Sequence, residues 1–369
     1  IIKETEKENH GSWQHHRIVA FTDDGSEEMS CATMNIIPSR FSGGYINVMT
    51  WGGIGTAPQY RRQGCVKSFF EKNLSRAREF DAASSLLHPF SFSYYRQFGY
   101  ERVSDTVQVR CPMSALSFLP RYPDLIPFTP DKSEEALSLF ERFSKNRNLM
   151  FKRFNTDFLT RGNRNTWLYY RRGELCGYVT LEVLNHFDGI NRMISDDLAV
   201  YELCFIDRDS LLHLMSFLRM YEGQLETVKF HDIGPVPEVD LILRHYMHTD
   251  YSVHPDVMAR VIDSEKMLLA ASYPDEYGVF TVNIEDSLKD VAGTFRVCYQ
   301  NGKCDIERLN NPLKADLTLT AQPFVKILYG TDDFNAELAS YMDGVKLNND
   351  AKDFFRAFPK RINGIFEHF

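Results

Sequence analysis

Absences set the first limits on this chain of 369 residues. It has no CxxC pair and no cysteine–histidine cluster at zinc-ligand spacing, so neither a zinc ribbon nor a dithiol redox centre is encoded. The seven cysteines (31, 65, 111, 176, 204, 298 and 304) are scattered and odd in number, which points to free thiols in a reducing cytoplasm. No apolar run approaches membrane-spanning length, and the opening "IIKETEKENHGS" is not a signal peptide. The chain does not begin with Met, so it is expected to start inside a longer protein. A basic excess is missing too: a net charge of −8 does not favour wholesale binding to nucleic acid or to an anionic membrane. There is no short repeat and no low-complexity tract.

Aromatic residues, by contrast, are plentiful. With 28 Phe and 18 Tyr, the sequence predicts aromatic-rich cores or a sizeable apolar cavity. Its length favours two or three domains. Alternating apolar runs at 17–22, 29–37 and 44–57 read as strands, and Val66, Phe69, Phe70, Leu74 and Ala77 recur at helical spacing. Four prolines within 120–130 mark a linker. Beyond it, "SEEALSLFERFSKN" is an amphipathic helix with Ser133 as its expected N-cap. Asn301-Gly302 predicts a two-residue hairpin turn that sets Cys298 and Cys304 diagonally. The fold class read from this order is α+β, with domains over 1–125, 126–262 and 263–369.

One stretch carries chemistry. In "GIGTAPQYRRQGCVKSFF", residues 53–70, Arg61 and Arg62 stand just before Gly64, where a helical pattern starts. A helix N-terminus offers unpaired N–H groups and the positive end of a dipole. Gly64 lets an anion approach the backbone, and the two arginines add forked donors. Such a turn grips a phosphate or is simply a solvated helix end; the pattern alone leaves both open.

Together with "SLLHPFSFSYYRQFGY" some thirty residues on, the stretch resembles the GNAT family of acyl-CoA-dependent N-acetyltransferases, whose R/Q-x-x-G-x-G/A turn holds the CoA pyrophosphate. Arg61, Gly64 and Val66 match that turn, with Arg62 and Cys65 inside it. Val66 replaces the usual Gly or Ala. The "YYRQFGY" motif, a C-terminal region that looks like a sterol-carrier-protein fold, and an aromatic last residue after "FEH" resemble the Eis-like branch. That branch joins two GNAT-type domains to a sterol-carrier-like one, assembles as hexamers, and acetylates amines such as aminoglycosides, polyamines or lysine side chains.

The resemblance implies acetyl-CoA as cosubstrate, no metal, and a cytoplasmic enzyme acting on a small-molecule or peptide amine. It makes Tyr95 the general acid for the departing thiolate, a role suited to a phenol with an ordinary pKa of about 10. The Phe369 main-chain carboxylate becomes the base, anchored by Ile362, Ile365 and Phe366 at helix-like spacing. The backbone of Ile54, Gly55 and Thr56 would hold the acyl carbonyl. Phe90 stands beside the cofactor where one member has a serine, Gly53 where that member has an aromatic residue, and His368 displaces its penultimate acid. The first strand and two helices expected of a GNAT domain are mostly absent before residue 17.

No R-x-x-G-x-x turn follows a strand in the second domain, so no cofactor is expected there. His88 reads as structural, and His15, His16, His245 and His248 lack partners at metal spacing. The competing function is a hydrophobic-ligand carrier built on the third domain with a degenerate GNAT portion; a longer-chain acyltransferase is a third reading. One or two residues appended after Phe369 should lower kcat by about 10²-fold with an unchanged circular dichroism spectrum. Undiminished turnover would remove the carboxylate from the reaction.

Overall fold

The computed structural model describes residues 2–10, 13–187, 193–243, 247–310 and 315–367. Strands β1 (Ile2–His10), β2 (Trp13–Phe21), β3 (Glu28–Phe41) and β4 (Gly44–Thr56) form an antiparallel meander. Two paired strands thus occupy the N-terminal region, where the usual first strand and two helices were read as mostly absent. Every second residue along the first half of β3 is buried, as a sheet with one covered face requires. Helix α1 (Cys65–Ser75) then buries Phe69, Phe70 and Leu74 against the sheet.

Strand β5 (Ala82–Leu87) returns parallel to β4 and is buried at all six residues. Its sequence AASSLL puts two hydroxyls inside, and both are satisfied. Ser84 Oγ donates to the carbonyl of Arg260 (2.9 Å) and Ser85 Oγ to that of Met49 (2.8 Å). Helix α2 (Phe92–Arg96) and the short β6 (Glu101–Arg102) complete this stretch.

The chain forms two compact units, and they change at Ser104/Asp105 and Pro255/Asp256, whereas the sequence divided the chain at 125/126 and 262/263. Asp105–Pro255, with Gly364–Phe366, is one unit. It comprises β7 (Asp105–Pro112), β8 (Ile126–Pro127), α3 (Ser133–Ser144), β9 (Arg147–Asn148), β10 (Asn165–Arg171), β11 (Glu174–Phe187), β12 (Met193–Phe205), α4 (Arg208–Leu218), β13 (Thr227–Phe230), α5 (Glu238–Ile242) and β14 (Asp250–Pro255). Its sheet runs β14-β7-β13-β12-β11-β10-β8, with β12 and β13 parallel. The proline-rich stretch lies within this unit, where Leu119 and Leu125 are buried and β8 pairs with β10. The N-cap of α3 is Lys132; Ser133 is already helical, and its hydroxyl meets Thr156 Oγ1 at 2.8 Å instead.

After β14 the chain re-enters the first unit. Strand β15 (Met258–Val261) inserts between β5 and β6, giving the sheet order β1-β2-β3-β4-β5-β15-β6. Helix α6 (Ser264–Ala270) follows, capped by Asp263. A second sheet of this unit, ordered β18-β17-β16-β19-β20, uses β16 (Gly278–Glu285), β17 (Gly293–Gln300), β18 (Lys303–Leu309), β19 (Leu317–Thr320) and β20 (Val345–Leu347). Asn301 and Gly302 form the two-residue hairpin turn, both left-handed at φ +52° and +73°. All seven cysteines are free.

Helices α7 (Ala321–Leu328), α8 (Ala336–Ser340) and α9 (Lys352–Ala357) precede the two-residue β21 (Ile362–Asn363). The helical spacing read for Ile362, Ile365 and Phe366 is therefore not realised: α9 stops before Phe358-Pro359, and Ile362 lies in an extended segment.

A buried ion pair joins the first unit's distant segments. Arg260 on β15 donates to Asp286 Oδ1 at 2.6 Å, and both side chains are almost wholly buried. The guanidinium occupies the space over Gly99 (φ +81°), where a Cβ would lie 1.4 Å from Arg260 Nη1. Gly99→Ala should therefore destabilise the fold by about 3 kcal/mol or more, read as a lower denaturation midpoint; an unchanged midpoint would show that the turn relaxes freely.

Candidate active site

The turn before α1 is built from left-handed residues. Arg62 (φ +63°) and Gly64 (φ +83°, ψ 7°) bracket Gln63, and Gly64 serves as the N-cap with no side-chain hydrogen bond to the first turn. No acidic side chain sits in that turn, so the N–H groups of Cys65, Val66 and Lys67 are left without an acceptor among the described residues. Nothing lies within 4 Å of the position a Cβ on Gly64 would take, so the space over the helix end is open. Arg61 and Arg62 are exposed beside it, and Arg61 Nε reaches the Thr56 carbonyl at 3.4 Å. Open space, free N–H groups and two guanidinium groups make a fitting cradle for a phosphate-bearing ligand.

Strand β4 leads into this turn and parts from its neighbour on the way. Its pairing with β5 ends at Trp51–Leu87, so Gly52–Thr56 continue without that partner. On the other edge, Thr33 pairs with Gly52 and Cys31 with Gly55, which sets Gly53 and Ile54 together opposite Ala32. This is a β-bulge, and Gly53 takes φ +55°, a conformation that glycine adopts without strain. Ser30 Oγ donates to the Gly55 carbonyl (2.7 Å) and meets Thr56 Oγ1 at 2.9 Å, fixing the strand end.

Tyr95 faces the same region from α2. It is 2% exposed, and the same hydrophobic core that contains it also receives Ile54, Cys65 and Val66. Its ring packs edge-on against Phe70 of α1 (6.0 Å) and Phe90 (5.4 Å). The hydroxyl makes no hydrogen bond with a described residue. Burial, with a smaller contribution from Tyr94, pushes the phenol up to about 12. The sign follows from the charge: desolvation disfavours phenolate, so the group holds its proton at neutral pH and can donate it. Phe90 itself is 76% exposed.

The structure thus gathers Tyr95, Phe90, Ile54, Cys65 and Val66 and places Arg61, Arg62 and Gly64 at the adjoining turn. Phe369 and His368 lie outside the described residues, as does His245. His88 pairs with Asp256 (2.8 Å), His15 with Asn35 and His16 with Glu4. Among the described residues no three His, Cys, Asp or Glu side chains gather as metal ligands, and no helix is long and apolar enough to cross a membrane. Sequence reasoning missed Ser30 and Arg260, because neither is near the motif in the chain. The bulge did have a signal, the Gly52-Gly53 pair inside a strand.

Residues 3–103 match the model of the acetyltransferase (GNAT) domain family. The chain therefore carries a GNAT acetyltransferase domain and is an acyltransferase enzyme; GNAT domains use acetyl-CoA. None of the curated proteins matches the sequence significantly. Among solved structures, a probable N-acyltransferase from Enterococcus faecalis is 17% identical with a TM-score of 0.80, covering 97% of this chain and 90% of that one. A GCN5-related N-acetyltransferase from Anabaena variabilis is 16% identical (TM-score 0.81; 96% and 89% covered). Eis1 from Mycobacterium abscessus is 14% identical (TM-score 0.76; 96% and 91% covered). At such identities the likeness is one of fold.

Tyr95→Phe should lower kcat by about 10²-fold with little change in KM, while Tyr94→Phe retains turnover. In the natural chain kcat should show no loss from phenol ionisation below about pH 11, given the raised pKa. A steady-state pH series on the three proteins decides both points.

Proposed function

We propose that the chain is an acetyl-CoA-dependent N-acetyltransferase acting on a primary amine, of the aminoglycoside, polyamine or lysine side-chain kind. The observation that carries this is the open, uncapped N-terminus of α1 with Arg61 and Arg62 beside it, at the end of a strand that has parted from its neighbour. The N–H groups from Gly64 to Lys67 would hold the pyrophosphate. When bound, acetyl-CoA supplies an activated acetyl group that the amine displaces from sulfur.

The backbone of Ile54–Thr56, which runs on past the last pair with β5, faces the acyl portion and orients it. Tyr95, protonated and without an internal partner, donates its proton to the departing thiolate. The Phe369 carboxylate is the base assigned by the resemblance. A net charge of −8 suits a cationic acceptor. The same resemblance carries the remaining parts of the proposal: the 1–125, 126–262 and 263–369 partition, a sterol-carrier-like third domain, hexameric assembly and a cytoplasmic location. Nothing in the site favours the carrier reading, and an intact phosphate cradle speaks against a degenerate domain.

Calorimetry with CoA should show one specific site per chain. Gly64→Glu, which puts a carboxylate into the cradle and side-chain strain on a residue at φ +83°, should weaken CoA at least about 100-fold. No CoA binding by the natural chain would overturn the proposal.

A further inference from the structure

The second unit repeats the supersecondary plan of the active site. In the first unit β4 pairs antiparallel with β3, parallel with β5 as far as Trp51, and then runs on alone through residues 52–56. In the second unit β12 pairs antiparallel with β11, parallel with β13 as far as Val200, and then runs on through residues 201–205 without β13. Both strands carry an extra residue just past the last parallel pair: the bulge falls at Gly53–Ile54 in one, and at Tyr201 in the other, where Val200 pairs with Leu181 and Glu202 with Thr180. The helices that follow, α1 and α4, have 11 residues each, and α2 and α5 have 5 each.

Where β12 runs on without β13 and leads into α4, the second unit has a cavity of about 680 Å³. It lies against Phe205 at the end of β12, Leu211 and Leu212 of α4, Ile242 of α5 and Phe143 of α3. Its helix terminus differs from that of α1. Asp207 caps α4 through a reciprocal pair with Ser210, so the first-turn N–H groups already have a carboxylate. Burial alone would raise the Asp207 pKa, but hydrogen bonds from Arg171 and Ser210 outweigh it and hold the group near 2, ionised at neutral pH. A phosphate chain would find this helix end already occupied by the Asp207 carboxylate.

The charges lining the cavity settle which ligand remains. Glu238 Oε1 is taken by Arg147 (2.7 Å), with the buried Oε2 lacking a hydrogen bond among the described residues, Asp207 is taken by Arg171 (2.7 Å), and Arg142 by Glu174 (2.6 Å). Arg208, exposed at the first position of α4, has no ion-pair or hydrogen-bond partner among the described residues. The lining is mixed, the apolar side chains being joined by Arg142, Asn146, Arg147, Asp207, Arg208 and Glu238, and among these cations Arg208 is uncommitted.

We propose that this cavity is a ligand site for a monoanionic amphiphile, an apolar chain with a single carboxylate, the carboxylate held by Arg208 and the chain lying against Phe143, Phe205, Leu211, Leu212 and Ile242. It is a second site of the enzyme, formed where the repeat has exchanged the phosphate-binding turn for a self-capped helix.

The test is calorimetry on the full chain with decanoate below its micellar concentration, with decyltrimethylammonium as the cationic counterpart. One decanoate should bind per chain, at least about tenfold more tightly than the cation. Arg208→Glu should weaken decanoate by about tenfold or more, and Ile206→Trp, which fills the cavity from an exposed rim position, should abolish binding. CoA should not compete. Absence of decanoate binding, equal affinity for the cation, insensitivity to both substitutions, or displacement by CoA would each overturn the proposal. Loss of CoA binding alone would instead strike the acetyl-transfer reading and leave this site standing.

Discussion

The first unit depends on one buried contact, the Arg260–Asp286 pair set over Gly99. Strand β15 stands between β5 and β6, so the sheet that bears the candidate active site is closed by residues that follow the second unit's main segment, Asp105–Pro255, in the chain. Arg260 fixes that insertion at both ends of its reach. Its carbonyl takes the Ser84 hydroxyl in β5, while its guanidinium fills the space a side chain at Gly99 would need. Asp286 also accepts from the Leu288 amide (2.8 Å), so its orientation is set independently. Desolvation offsets much of the Coulomb attraction in such a pair, and its value here is registry rather than net stability.

Registry matters because Tyr95 sits a few residues before Gly99. The Tyr95 carbonyl accepts from the Phe98 amide (3.0 Å), and α7 adds a further tie from Gln322 to the Arg96 carbonyl (2.8 Å). The phenol is thereby held in a pocket of rings: Phe70 touches Trp51, Tyr95, Phe98 and Tyr100. Such a surround excludes water, which raises the phenol's pKa and keeps the proton on oxygen. The aromatic abundance of the composition is thus partly spent on the environment of a single buried phenol.

The two units show how little is needed to change what a helix N-terminus offers. Gly64 leaves the end of α1 open, whereas Asp207 closes the end of α4 with its own carboxylate. The parallel pairing, the bulge and the strand that runs on alone are retained in both. Backbone geometry is therefore shared, and the side chain at the cap decides whether the first-turn N–H groups are left for a ligand.

Much of this was legible in the residues themselves. The Arg61–Val66 turn, the hairpin at Asn301-Gly302, helices α1, α3 and α4 and most strands follow from local patterns, because caps, turns and periodicity act within a few positions of the chain. Several features were not legible. The N-cap of α3 moved to Lys132 because Ser133 found Thr156, 23 positions away, and the Pro-rich stretch is packed, with β8 paired to β10. The extended segment at Ile362 replaced a helical reading drawn from spacing alone. Above all, nothing near "YYRQFGY" announces Arg260 or Ser30, or the repeat of β4-α1-β5 by β12-α4-β13. Contacts between segments far apart in the chain leave no periodicity in either segment, so residue order specified the pieces of the candidate site, and only folding brought β15 to the turn that follows Tyr95.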